Sequence, residues 1–228
     1  RGVWGGGTQP LNTNIIEYIT ISITGNAIDF GDLSASRQSP AALASSIRGL
    51  FAGGYQASPI LNTNTIEYIT IASTGNAVDF GDLLSPFVNV TGCSSSTRGV
   101  YGGGDSPSYS NVIQYVTIST LGNAIDFGDL TSPTELPAAC SNSIRGLFGA
   151  GETPAALTNT IAFITIASTG DAQDFGDLTQ IRGIAGACSS STRGLWAGGR
   201  TPSPTNTIDY VTILTTGNAV DFGDLTES

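Results

Sequence analysis

Asp29-Phe30-Gly31-Asp32-Leu33 returns unchanged as Asp79 to Leu83, Asp126 to Leu130, Asp174 to Leu178 and Asp221 to Leu225. Successive copies are 50, 47, 48 and 47 residues apart. Self-similarity at a fixed period of this size is the signature of a solenoid or propeller, in which each unit buries its apolar surface against the next. The 228 residues therefore read as one domain of five units, about 1–33, 34–83, 84–130, 131–178 and 179–228.

Superposing the copies gives a four-part unit. Small residues open it, at Ala41 to Ser45, Gly92 to Ser96, Ala138 to Ser141 and Ala187 to Ser191. An Arg-Gly pair follows at Arg48, Arg98, Arg145 and Arg193, with Arg1 as the fifth instance, and leads into an aromatic segment ending in glycines, such as Leu50-Phe51-Ala52-Gly53-Gly54. Glycine at the end of a strand permits positive φ and close backbone approach. The third part, Thr65-Ile66-Glu67-Tyr68-Ile69-Thr70-Ile71 in the second unit, is rich in β-branched and aromatic residues and reads as a strand. Thr74-Gly75-Asn76 then supplies hairpin-turn residues before the fourth strand, which holds the Asp-Phe-Gly-Asp-Leu motif. No segment sustains a 3.6-residue period, so no helix is predicted.

Four short antiparallel strands per unit predict an all-β fold: a five-bladed β-propeller with four antiparallel strands per blade. The chain contains five second, third and fourth strands but four first strands. One blade should thus lack its first strand, leaving an edge open to a flanking segment or another copy. The absence of methionine, with Arg1 at the start, points to a fragment or processed piece.

The order of a small-residue strand, a strand ending in Gly-Gly, a strand bearing Tyr and a strand bearing an aromatic resembles the kelch repeat. Phe30, Phe80, Phe127, Phe175 and Phe222 stand where kelch usually has Trp. The unit from Glu67 to Leu83 is more closely similar to repeats in tail-associated proteins of marine bacteriophages. These resemblances imply a propeller that serves a virion or another extracellular assembly.

Composition narrows the function classes. A formal charge of -10, with eight Arg and no Lys, argues against nucleic acid and against a basic membrane-binding face. No apolar run reaches the roughly 18–20 residues of a membrane span. Without His or Lys, Ser-His-Asp and Cys-His chemistry are excluded, leaving carboxylate pairs such as Asp105 and Glu152 as the only route to a hydrolase. The expectation is therefore a protein that is not an enzyme. Cys93, Cys140 and Cys188 share one repeat position and would lie beyond the roughly 7 Å reach of a disulfide. They read as buried free thiols, and the metal-site alternative lacks Cys-x-x-Cys spacing.

The repeated motif is not a site. Asp-Phe-Gly in protein kinases binds magnesium beside a catalytic-loop His-Arg-Asp and a strand Lys, and both are missing here. The glycine runs at Gly5–Gly7 and Gly102–Gly104 lack the Gly-Lys-Ser/Thr ending of a phosphate loop. Asp29, Asp32 and their equivalents allow two readings, calcium ligation with backbone carbonyls, or structural hydrogen bonds and pairing with the repeated Arg. The matching number of Arg and motif copies favours the structural one. No cofactor is expected, with calcium as the alternative.

Fifteen of the 18 aromatic residues occupy repeat positions and read as inter-blade packing, with Trp4 or Trp196 as alternative sugar-stacking platforms. Tyr55, Phe87 and Tyr109 do not. They lie in loops on the blade face where the second-to-third-strand and blade-to-blade connections vary, whereas the opposite face repeats with little change. Function concentrates on variable loops held by a rigid scaffold. The candidate ligand-binding residues are accordingly Tyr55, Gln56, Phe87, Asp105, Tyr109, Glu152 and Arg200, facing a glycan or protein partner. The alternative is a purely structural spacer.

Overall fold

The computed structural model describes residues 1–8 and 10–227. Within them there is no helix, and the strands form a five-bladed propeller arrangement of one three-stranded and four four-stranded antiparallel sheets. The first blade holds β1 (Gly2–Gly5), β2 (Ile15–Ile19) and β3 (Ile28–Asp32). The second holds β4 (Ala41–Ala44), β5 (Arg48–Ala52), β8 (Thr65–Thr70) and β9 (Val78–Asp82), with the loop hairpin β6 (Tyr55–Ala57) and β7 (Ile60–Asn62). The third comprises β10 (Thr91–Ser94), β11 (Arg98–Gly102), β12 (Val112–Thr117) and β13 (Ile125–Asp129), and the fourth β14 (Ala138–Ser141), β15 (Arg145–Gly149), β16 (Thr160–Thr165) and β17 (Gln173–Asp177). The fifth comprises β18 (Gly186–Ser189), β19 (Arg193–Ala197), β22 (Thr207–Thr212) and β23 (Val220–Asp224), with a short loop ladder of β20 (Arg200–Thr201) and β21 (Ser203–Pro204). As expected, one blade lacks its first strand. It leaves the edge of β1 open beside a cavity of about 200 Å³ bounded by Val3, Leu43, Phe51 and Ile69.

The repeated motif is the joint between blades. In each fourth strand two residues face one on the neighbouring strand, as where Ile66 pairs with Gly81 and Glu67 with Asp79, so Phe80 is the extra residue of a β-bulge. The bulge turns Phe30, Phe80, Phe127 and Phe175 into the interior, each 2% exposed. Each ring meets the aromatic ring of its own blade's third strand edge-on, at 6.0 Å between centroids for Tyr68 and Phe80. The glycine that follows has positive φ, and a Cβ on Gly81 would come within 2.5 Å of the Gly122 carbonyl. Glycine is required there because the next blade's Thr-Gly-Asn type turn sits directly on the strand.

That turn fastens the blades with two bonds. Its glycine donates to the preceding motif's Phe carbonyl, as from Gly75 to Phe30 at 2.7 Å and from Gly122 to Phe80 at 2.9 Å. The next residue accepts the motif's second Asp N–H, through Asn76, Asn123, Asp171 and Asn218 for Asp32, Asp82, Asp129 and Asp177. On the axial side the small-residue strands are laced by serines: Ser94 Oγ donates to Ala44 O, Ser141 Oγ to Ser94 O and Ser189 Oγ to Ser141 O.

The repeated Arg and Asp residues do not pair, contrary to expectation. Arg48 lies 4.5 Å above the Tyr68 ring and donates to the Ile118 carbonyl of the following blade at 2.8 Å. Arg1, Arg98 and Arg145 make the same two contacts in their blades, while Arg193 covers Tyr210. Arg48 faces Thr70 across the strands, and the nearby aromatic captures its planar cation before a carboxylate can. Asp29 is exposed and Asp32 half-buried; their place in the joint is made by backbone groups.

Four joints of this type connect the five blades. Among the described residues none of their bonds links the fifth blade to the first. Phe222, in the fifth copy of the motif, is 53% exposed where its four equivalents are 2%, and Trp4 is 58% exposed where Trp196 is 0%. Cys93 and Cys140 are buried free thiols, but Cys188 is exposed, correcting the expectation of three buried thiols. The cause is the same uncovered face.

Candidate functional site

The variable loops are pinned to the scaffold by short two-residue ladders. Gln38 pairs with Tyr55, Val88 with Asp105, Glu135 with Glu152 and Gly183 with Arg200, each joining a blade-to-blade connection to the loop after a second strand. The pairing begins at the Gly-Gly strand ends. Gly104 has φ of 96°, and a Cβ there would lie 2.9 Å from the Val88 carbonyl, so the chain can turn beneath the loop only as glycine.

Between the loops of the third and fourth blades lies a cleft of about 360 Å³, lined by Asp105, Pro107, Ser108, Tyr109, Glu152 and 153–156. Both walls are held by their own hydrogen bonds. Ser106 N–H donates to Ser108 O at 3.0 Å and Ser110 N–H to Gly104 O at 2.9 Å. Thr153 closes the other wall: its hydroxyl donates to Ala156 O at 2.9 Å and accepts the Ala156 N–H at 3.2 Å. The cleft is thus a pre-shaped depression with convergent polar groups.

Its electrostatics are acidic. The Asp105 Oδ1 atom is shielded from solvent and has no hydrogen-bond partner. The Glu135 carboxylate holds Asn89 Nδ2 at 3.2 Å. As hydrogen-bond partner of Tyr109 it also pushes that phenol above its ordinary range, aided by partial burial and by the charges of Glu135, Glu152 and Asp105. Arg200 Nη2 stands 3.7 Å from Glu152 Oε2, with both side chains open to solvent. Among the described residues no three acidic or thiol side chains converge as a metal site.

Of the seven sequence candidates, Asp105, Tyr109 and Glu152 meet in this cleft, and Arg200 joins its edge through Glu152. Tyr55 and Gln56 lie on the hairpin of the second blade, where the Tyr55 carbonyl accepts from Asn12 Nδ2 at 3.0 Å, away from the cleft lining. Phe87 is corrected outright: it is 3% exposed and packs in the core with Leu83, Val90 and Tyr101. Its carbonyl accepts the Gly54 N–H at 2.8 Å. Trp196 is likewise no sugar platform, since its indole is fully buried and donates to Ala138 O at 3.0 Å.

Sequence reasoning missed Glu135 and two buried ion pairs. Arg37 pairs with Glu67, and Arg182 with Asp209, all four side chains almost wholly shielded. Arg37 also donates to Gly53 O and Thr65 O, and Glu67 accepts the Ser34 N–H at 2.8 Å. Phe87 and Thr134 take the Arg position in the other connections, opposite Gln114 and Ala162. The signal was an exchange at two coupled positions, four residues past the motif Leu and in the third strand. These pairs hold connections to blades and take no part in lining the cleft.

No protein-family profile matches the chain, and no curated protein matches it.

Proposed function

We propose that the protein is a non-enzymatic recognition module that binds a carbohydrate in the cleft between the loops of its third and fourth blades. The observation that supports this most is the meeting of Asp105, Tyr109 and Glu152 around one depression on the variable-loop face. Sugar hydroxyls donate readily to carboxylates, and an aromatic ring offers its face to the sugar's C–H groups. The similarity of the repeat to those of marine bacteriophage tail-associated proteins favours a place in a virion or other extracellular assembly.

A glycan array probed with wild type, Tyr109→Ala and Asp105→Asn tests the reading. Wild type should show a restricted set of positive glycans and both variants should lose them. A blank array for wild type, or positives that survive both substitutions, would remove it. The second reading, a structural spacer, is favoured by the uncovered faces of the first and fifth blades.

A further inference from the structure

The chain has eight Arg and neither Lys nor His, and seven of those cations are engaged away from the cleft. Arg1, Arg48, Arg98, Arg145 and Arg193 lie over third-strand aromatic rings. Arg37 and Arg182 are buried against Glu67 and Asp209. Arg200 alone comes near, 3.7 Å from Glu152 at the cleft edge, and its side chain is 53% exposed. An ion pair so open to water neutralises little.

Against that guanidinium stand the carboxylates of Glu135, Glu152 and Asp105. Glu135 and Glu152 donate to each other's backbone carbonyls, both at 2.9 Å, so they are a directly opposed pair whose side chains leave the ladder on the same side. The equivalent ladders set Gln38 against Tyr55, Val88 against Asp105 and Gly183 against Arg200. Among these four, one alone opposes two acids, and like charges directly opposite each other destabilise a strand pair. Glu135 is met by the Asn89 amide, which brings no charge, and Asp105 lines the facing wall. The Tyr109 phenol registers the field: held above its ordinary range first by its hydrogen bond with Glu135 and by partial burial, it is pushed further by the charges of Glu135, Glu152 and Asp105.

We infer that the ligand supplies the cation this cleft lacks: resting on the reading of the cleft as a carbohydrate site, the glycans it takes are those bearing a free amine, as 2-amino-2-deoxy sugars do, and carboxylated or sulfated glycans are refused. An ammonium group carries three donors, enough to meet two opposed carboxylates while the C–H face of the sugar lies on Tyr109. N-acetylation removes the charge and leaves the Glu135–Glu152 repulsion in place. A uronate adds a further like charge.

A glycan array printed with glucosamine oligomers, the same oligomers N-acetylated, galacturonate oligomers, and neutral and sialylated glycans tests the inference. Wild type should hold the amine-bearing oligomers on the order of tenfold more tightly than their N-acetylated counterparts, leave the anionic spots blank, and lose its preference as salt is raised. Glu135→Gln removes one of the two opposed charges and should bring the amine and N-acetyl affinities closer together. Tyr109→Ala should abolish binding of both. Binding to neutral or anionic glycans that needs Tyr109 and shows no preference for the amine would leave the carbohydrate reading standing and overturn this inference. A blank array, or amine binding that survives Tyr109→Ala as general attraction to a chain of charge -10, would remove both.

Discussion

The carbonyl of Phe80 accepts the N–H of Gly122 at 2.9 Å, across the joint between the second and third blades. That bond exists because Gly81 has no side chain: a Cβ there would come within 2.5 Å of the Gly122 carbonyl. Gly223 has the same positive φ but nothing within 4 Å. Gly81→Ala should therefore combine backbone strain with loss of the joint and cost more than the roughly 1–3 kcal/mol of strain alone. Gly223→Ala should cost no more than the strain. Urea unfolding of the two variants compares them, and equal losses would place no close approach at Gly81.

The Arg37–Glu67 pair is buried between a connection and a third strand. Removing one partner leaves the other charged and shielded, so Glu67→Gln should lower stability by about 3–5 kcal/mol. Arg37→Met with Glu67→Leu should recover most of that loss, since an apolar pair carries no desolvation penalty. Phe87 already fills the Arg position in the next connection. Denaturant midpoints of the single and double variants decide it.

Thiol chemistry reports the uncovered face. Burial pushes the Cys140 thiol up to about 12, with the neighbouring Cys188 adding to the shift, and burial pushes Cys93 up as well. A raised pKa keeps the thiol protonated, so neither forms the reactive thiolate at neutral or mildly alkaline pH. In dilute native protein a thiol reagent at pH 8 should titrate Cys188 alone, and all three cysteines after unfolding. Rapid reaction of more than one would contradict the burial.

The blade count and the strand order were legible because the motif repeats at a nearly constant period, and each copy states its own packing. The missing strand could be counted for the same reason. The joint's chemistry was not legible, because the bonds that make it run between backbone groups of different units. Counting equal numbers of Arg and Asp wrongly suggested pairing, since numbers do not say which side chain the cross-strand geometry brings near. Phe87 was misread because it stands outside the repeat in letter but inside it in position, where Arg37 and Arg182 are also buried. The cleft was partly legible. Asp105, Tyr109 and Glu152 follow from loop variability, but Glu135 enters through its ladder with Glu152, which depends on how two loops pair in space.

Tyr109 offers a pH signature of the cleft. Its phenol is held above the ordinary range first by the Glu135 carboxylate. The neutral form is the one favoured, so ionisation in an alkaline absorbance titration should come late and Glu135→Gln should bring it earlier. Glycan binding that uses the neutral phenol should persist to correspondingly higher pH in wild type than in the variant. An unchanged titration in Glu135→Gln would separate the two residues.

The most direct measurement is equilibrium binding of an array-positive glycan to wild type and to a variant in which Ser106–Tyr109 is exchanged for Gly-Ser-Gly-Ser. Gly104, Asp105 and Ser110, whose backbone bonds pin the loop, are retained. An unchanged unfolding midpoint with binding abolished is expected, because the scaffold lies in the repeats and recognition in the loops. A variant that folds and binds the glycan as tightly as wild type would contradict it.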